Sequence, residues 1–279
     1  MFTFPAPAKL NLFLHVVGRR PDGYHLLQTV FRFIDFSDQI GFEVRGDGVI
    51  KLHNPIAGVP EEKDLCVRAA RLLQQKTATT QGADIFLQKQ IPMGGGLGGG
   101  SSDAATTLLA LNHLWQLNLN REQLLELGLQ LGADVPVFVF GQNAFAQGVG
   151  EKLAAIELPP AWYLVLVPPA QVSTAEIFAS KELTRNTIPI TIPPFSVWQG
   201  HNDLELAVCR AYPEVARCLE WLKRLENTTI AAMSGSGACV FAEFATEQAV
   251  RAAFEQIPDD MKGFVAKGLD YHPMHKTLN

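Results

Sequence analysis

The chain has 279 residues, 47% hydrophobic and 18% charged, with a formal net charge of -5 and a pI near 5.8. That length holds one large domain or two modest ones, and the acidic balance excludes the basic footprint of a nucleic-acid or anionic-membrane partner. The most apolar run, AWYLVLVPPA, falls far short of the ~20 residues of a membrane span, and the N-terminus lacks a signal peptide's charged and apolar regions, so a cytoplasmic protein is expected. Four scattered cysteines (Cys66, Cys209, Cys218, Cys239) with no C-x-x-C pair read as reduced thiols.

Residues 8–17, AKLNLFLHVV, alternate with period two, which predicts a strand with Lys9 and Asn11 on one face. RRPDG is a turn by its Pro-Asp-Gly chemistry, and QIGFEVRGDGVIKLH reads as a hairpin with Asp47-Gly48 near its tip. Residues 61–76 carry acids first and bases last, with Leu65, Ala69, Leu72 and Leu73 at helical spacing. ADIFLQKQI (83–91) is a strand feeding a glycine run. Ser101 or Ser102 caps a helix reaching about Trp115, and Asn120 caps a second ending at Gly132. VPVFVF then reads as extended and AQGVGE as a loop, with a domain boundary near 155–160 at ELPPAW. The remainder predicts a strand (WYLVLVP), a loop and helix, a proline-rich connection (TIPITIPPF) and a helical stretch, DLELAVCRAYPEVARCLEWLKRL. It ends with TTIAAMSGSGACVFAEF as strand, loop and strand, then the helix ATEQAVRAAFEQI and the strand GFVAKGL. Mixed elements in both halves predict an α+β protein of two layered domains, 1–157 and 158–279.

PMGGGLGGGSSDAA (92–105) places six glycines in seven consecutive positions. Gly94-x-Gly96-x-x-Gly99 matches a dinucleotide fingerprint literally, but no acid stands between Asp103 and Glu122 for the ribose. A Walker loop fails because Ser101-Ser102 follow Gly100 with no lysine between, and a protein-kinase loop fails because this one opens a helix. A linker would not join a clear strand to a clear helix, and a tight turn needs one or two glycines. The general physics points to phosphate: consecutive backbone N–H groups and the positive end of a helix dipole converge on an anion.

With PAPAKLNL near the N-terminus and MSGSGACVF near the C-terminus, the glycine run resembles the three motifs of the GHMP family of small-molecule kinases. Within it, GRRPDGYH, LGADVPVF, AQGVGE and VSTAEIF are similar to the branch acting on a cytidine diphosphate-linked methylerythritol. The resemblance implies an N-terminal domain like the second domain of ribosomal protein S5, a ferredoxin-like C-terminal domain, and transfer of the ATP γ-phosphoryl to the substrate's 2-hydroxyl. ATP and Mg²⁺ are implied, with a small-molecule partner and a monomer or weak homodimer. It implies Lys9 and Asp134 as catalytic residues, Asp134 as general base. Pro92, Met93, Gly94, Gly95, Gly96, Leu97, Gly98, Gly99, Gly100, Ser101 and Ser102 would hold ATP phosphates, with Asp64, Leu65 and Lys89 beside adenine. Asn11, Tyr24, His25, Thr174 and Phe178 would hold substrate: Tyr24 and Phe178 would sandwich cytosine and His25 would read its edge. Gly235, Ser236 and Gly237 would brace the phosphate site, though SG pairs also suit a hairpin turn. Gly148 and Gly150 are either a turn or part of the diphosphate and sugar pocket. His272-x-x-His275 has metal-like spacing, but no cysteine or acid completes a site.

Overall fold

The computed structural model describes residues 1–191 and 201–278; most of the second half of TIPITIPPF lies outside them. Strands β1 (Phe2–Arg19) and β2 (His25–Arg45) form one long antiparallel hairpin, far longer than the ten-residue strand expected. Its connection is the predicted turn: Gly23 has φ 91°, and Asp22 Oδ1 accepts from Tyr24 N at 3.2 Å. Register shifts between Pro7/Ala8, Asn11/Leu14 and Val16/Gly18 let so long a ribbon curve. Lys9 and Asn11 stay on one face, opposite Phe33 and Phe31 of β2.

The remaining elements are β3 (Ile50–Leu52), α1 (Leu65–Thr77), β4 (Gly82–Gln88), α2 (Gly99–Leu114), α3 (Arg121–Leu131), α4 (Val135–Phe140), β5 (Ala144–Gly148) and β6 (Lys152–Ala155). They are followed by β7 (Trp162–Leu166), α5 (Thr174–Ala179), α6 (Glu205–Ala211), α7 (Pro213–Lys223), β8 (Thr228–Met233), β9 (Val240–Phe244), α8 (Glu247–Phe254) and β10 (Gly263–Leu269). The described strands join in the order β3-β4-β2-β10-β7-β9-β8, with β1 and β5 also on β2 and β6 on β5. An α+β architecture results. The C-terminal sheet β10-β7-β9-β8 is antiparallel throughout.

Three apolar cores hold it. One lies between β2, β4 and helices α1–α4, around Phe33, Phe42, Ile85, Leu108 and Phe138. Another lies under α6–α8, around Leu164, Val208, Leu219, Met233 and Val240. The third draws Leu10, Leu12 and Ile34 from the first half together with Tyr163, Val165 and Phe241 from the second. Pairing of Gly268 with Ile34 and Leu269 with Phe33 joins the halves through backbone as well.

Four local expectations change. VPVFVF is the helix α4, not an extended run: Pro136 sits in its first turn, where no N–H is needed, and Gly141 at φ 80° ends it. Five of its six side chains are buried, each apolar burial favouring the fold by about 1.5–3 kcal/mol, so tertiary packing overrides strand propensity. The segment 39–53 is no hairpin. β4 already occupies the edge of β2, so β3 crosses to the far side of β4 and runs parallel to it. AQGVGE is the end of β5 and the turn into β6. The helix over 203–225 breaks at Tyr212, because Pro213 cannot donate to the preceding turn.

Candidate active site

The glycine run leaves β4 and ends at α2. The helix begins at Gly99 with left-handed Gly98 (φ 73°) as its cap and no side-chain capping bond; Ser101 and Ser102 lie inside the first turn rather than at the cap. The glycines are required by contact as well as by conformation. A Cβ on Gly96 would lie 2.1 Å from Ser234 O, and one on Gly98 2.9 Å from the Phe138 ring and 3.1 Å from the Lys9 stem. Gly95 leaves room for Cys239 Sγ. The loop 234–237, between β8 and β9, lies against this run. Cys239 N donates to Gly95 O at 3.1 Å, Ala238 N to Gly94 O at 3.3 Å, and Ser234 Oγ to Gly96 O at 2.9 Å.

Lys9 runs beneath the loop and is only 2% exposed. Its ammonium donates to Asn11 Oδ1 at 2.5 Å and Gly96 O at 2.9 Å, and stands 3.3 Å from Asp134 Oδ2. Asn11 is fixed in turn, donating from Nδ2 to Thr29 Oγ1 at 2.9 Å and from its backbone N to Ser234 Oγ at 3.2 Å. Asp134 sits at the N-terminus of α4, its side chain 39% exposed, so this carboxylate meets the cavity while its cation is buried. Its backbone is held against the same loop, Lys9 N donating to Leu97 O at 2.9 Å.

Lys89 is not a free cation. Its ammonium lies between the carboxylates of Asp38 and Asp103, 2.6 Å from Asp103 Oδ2. Asp38 is wholly buried and accepts from Gln90 N and Ile91 N at 2.5 and 2.8 Å, which ties the end of β4 to β2. Burial alone would depress the Lys89 ammonium, but the two acids raise it. Burial pushes the Asp103 carboxyl up to about 7, Lys89 opposing and Asp38 assisting. Asp64 is likewise committed, capping α1 through Cys66 N and Val67 N. Ser102 Oγ and Asp103 Oδ1 are buried and without a hydrogen-bond partner among the described residues.

The cavity over these groups has a volume of about 1020 Å³ and reaches from Leu65 and the glycine loop to Tyr24, His25 and Phe178. Lys9, Asn11, Lys89, Asp134, Gly150, Thr174 and residues 92–101 and 235–237 all line it. Ser102 and Gly148 do not; Gly148 belongs to the β5–β6 turn, paired with Leu27. At the far end Tyr24 is 65% exposed, and the Phe178 ring stacks on the His25 imidazole with centroids 4.8 Å apart at 29°. Burial, then the nearby Arg185 and Arg19, lower the His25 pKa. Thr174 Oγ1 and Ser236 Oγ are hydrogen-bonded at 2.7 Å, linking α5 to the 234–237 loop.

Sequence reasoning missed Asp38, Thr29, Asp103 and Arg185. Asp103 stands in the quoted glycine motif, and Thr29 in the stretch just after GRRPDGYH that carries the same resemblance; Asp38 and Arg185 lie outside these motifs. The histidine pair near the C-terminus holds structure: His272 Nδ1 accepts from Met274 N, and Arg121 stands beside His275. No group of three or more His, Cys, Asp or Glu able to hold a metal occurs among the described residues.

The family descriptions "GHMP kinases N terminal domain" and "GHMP kinases C terminal" match residues 64–142 and 197–263. The chain is 73% identical over 97% of its length to a 4-diphosphocytidyl-2-C-methyl-D-erythritol kinase of Nitrosospira multiformis, covering 92% of that protein. It is 62% identical to the like-named protein of Nitrosomonas europaea, covering 98% of this chain and 99% of that one. A crystal structure of 4-(cytidine 5'-diphospho)-2C-methyl-D-erythritol kinase superposes with a TM-score of 0.82 at 32% identity, over 96% of this chain and 99% of that one. A mevalonate kinase structure shares the fold at TM-score 0.68 and 15% identity, over 97% of this chain and 100% of that one. Near-full-length identity at this level, on a buried lysine, an aspartate and a glycine loop at one cavity, places the chain in the 4-diphosphocytidyl-2-C-methyl-D-erythritol kinase family of GHMP small-molecule kinases.

Proposed function

We propose that the protein transfers the γ-phosphoryl group of ATP to the 2-hydroxyl of 4-(cytidine 5'-diphospho)-2-C-methyl-D-erythritol, giving the 2-phosphate and ADP, in non-mevalonate isoprenoid precursor synthesis. The observation that carries it is the single cavity joining Lys9, Asp134 and the glycine loop at one end to Tyr24, His25 and Phe178 at the other. A homoserine or mevalonate pocket has no need of an aromatic end set beside a separate phosphate end.

On this reading ATP phosphates lie on backbone N–H groups of residues 94–101 at the start of α2, and adenine lies toward Leu65; Ser102 N is taken by Gly98 O at 2.8 Å. The Asp134 carboxylate orients the tertiary hydroxyl and accepts its proton. In a loose phosphoryl-transfer transition state positioning matters more than basicity. Lys9, desolvated and held by Asn11 and Gly96, offsets charge on the transferring group without having to reorganise. Mg²⁺ would neutralise phosphate charge when bound, and the partnerless Oδ1 of Asp103, a residue that lines the cavity, suits a cation that takes few protein oxygens. Lys89 acts here by holding Asp103 and Asp38 rather than as a phosphate-facing charge. Gly235, Ser236 and Gly237 brace the glycine run.

We further propose a domain division at residues 157 and 158, supported by the core around Leu164 and Val240, which is drawn mainly from the second half with Leu14 and Val16 added from β1, and a cytoplasmic monomer or weak homodimer. No helix among the described residues is long and apolar enough to cross a membrane.

The test follows ADP release from ATP and Mg²⁺ with the cytidine substrate, mevalonate or homoserine. Turnover is expected with the first alone, and turnover with either of the others instead overturns the reading. Asp134→Asn is expected to abolish turnover while ATP still binds; near-normal activity would remove Asp134 from the mechanism.

A further inference from the structure

Arg185 lies between α5 and the segment outside the described residues, in a stretch without regular secondary structure. That stretch is nonetheless fixed. Leu183 is buried, Thr187 N donates to Val16 O at 3.1 Å, and Ile190 exchanges hydrogen bonds with the Gln28 side chain at 2.8 and 3.1 Å. Arg185 therefore meets the β1–β2 hairpin at a set position, although 160 residues separate it from His25.

Each nitrogen of its guanidinium donates a hydrogen bond. NH1 donates to Leu183 O at 3.1 Å, and NH2 to Phe178 O at 2.9 Å and Ser180 O at 2.7 Å. The carbonyls of Phe178 and Ser180 belong to the C-terminal end of α5, where helix carbonyls lack intrahelical partners. The third nitrogen, Nε, points at His25 Nε2 from 3.2 Å. A guanidinium only donates, so His25 Nε2 must present its lone pair, and the neutral imidazole then carries its proton on Nδ1. Phe178 covers a face of the ring. Arg185 takes one edge, and Nδ1 has no partner among the described residues.

We propose that Arg185 is a positioning residue that fixes His25 as a hydrogen-bond donor through Nδ1, and that this tautomer makes the site select cytosine over uracil. The inference rests on Tyr24, His25 and Phe178 forming the base-binding end. Cytosine presents an acceptor at N3, whereas uracil presents N–H there. A fixed donor pairs with the first and opposes the second, and a polar group left unpaired in a site discriminates strongly. Burial, and then the cations facing His25, keep the ring neutral: Arg185 from the stretch after α5 and Arg19 from β1. Asp22, in the connecting turn, pairs instead with Arg20 at 2.7 Å.

The experiment uses the full chain with CDP and UDP as probes, by calorimetry, alongside kinetics with the cytidine substrate. Wild type is expected to prefer CDP. Arg185→Gln should lose about tenfold in CDP affinity and most of the preference over UDP, with the KM for ATP unchanged. Arg185→Lys, which keeps the charge but not the fork, should fall between. In long-range ¹⁵N–¹H spectra, with His25 assigned by its absence in His25→Ala, wild type should show the Nδ1–H form and Arg185→Gln a mixture. A wild-type Nε2–H tautomer, or an unchanged CDP-to-UDP ratio in Arg185→Gln, overturns the proposal. If His25→Ala and Phe178→Ala leave CDP affinity intact, the base-binding reading itself fails. If they weaken it and the Arg185 variants do not, the Arg185 assignment fails alone.

Discussion

At the phosphate end of the cavity the chain offers backbone donors pinned between two loops, with Lys9 beneath them only 2% exposed. At the base end it offers side chains, Tyr24 being 65% exposed on the tip of a hairpin. On the proposed assignment of the two ends, the chemistry of the two ligands accounts for the contrast. A triphosphate is a concentrated anion that many oriented N–H groups and a desolvated ammonium stabilise together, and any slack costs transition-state stabilisation. A pyrimidine is a flat, weakly polar surface, bound by stacking that tolerates motion and selected by a few edge contacts.

If the phosphate end is rigid by necessity, Gly96→Ala should be the most damaging change of this set. A Cβ there meets a backbone carbonyl at 2.1 Å, and φ is 75°. We expect a loss of at least about 3 kcal/mol in folding stability, read by denaturant unfolding, and little activity. Gly94→Ala is the control. It shares the positive φ but has open space around a Cβ, so its cost should be limited to about 1–2 kcal/mol. Equal damage from the two would show that contact with the 234–237 loop is unimportant.

The base end should lose binding without losing the fold. Tyr24→Ala is expected to raise the KM for the cytidine substrate by about 1–3 kcal/mol of stacking, with the melting temperature and KM for ATP nearly unchanged. A large fall in kcat instead would mean that Tyr24 serves the chemistry.

A smaller effect separates the two ends by pH. Burial lowers the His272 pKa to about 3, and its Nε2 lies 3.4 Å from Thr106 Oγ1 on α2, the helix that opens on the phosphate site. His272 stays neutral in the fold but gains a proton near pH 6.5 when unfolded. Stability is therefore fully present above about pH 6.5 and falls as pH drops below it, by about 1.4 kcal/mol at pH 5.5. His272→Gln should narrow the difference between melting temperatures at pH 7.5 and 5.5; an undiminished difference assigns the acid sensitivity elsewhere.

Much of the site was legible because its signals are local. Period two put Lys9 beside Asn11, the glycine density marked an anion loop opening a helix, and Asn120 caps α3, which ends before Gly132 as expected. The exchange of strand for helix at 135–140 was not legible, since a segment buried on nearly every side shows no periodicity and its β-branched content favours a strand.

The sequence by itself determined the residue types and local spacings: the glycine run, the strand lysine, the turn before Tyr24, and the strand–loop–strand around Ser234. Tertiary structure alone decided what those groups touch. Lys9 meets Gly96 across 87 residues, Ser234 meets Gly96 across 138, and Arg185 meets His25 across 160. It also made Lys89, expected beside adenine, the bridge between Asp38 and Asp103. The physical reason is that propensity and spacing act within a few residues, whereas burial, ion pairing and tautomer choice depend on which distant segments the cores bring together.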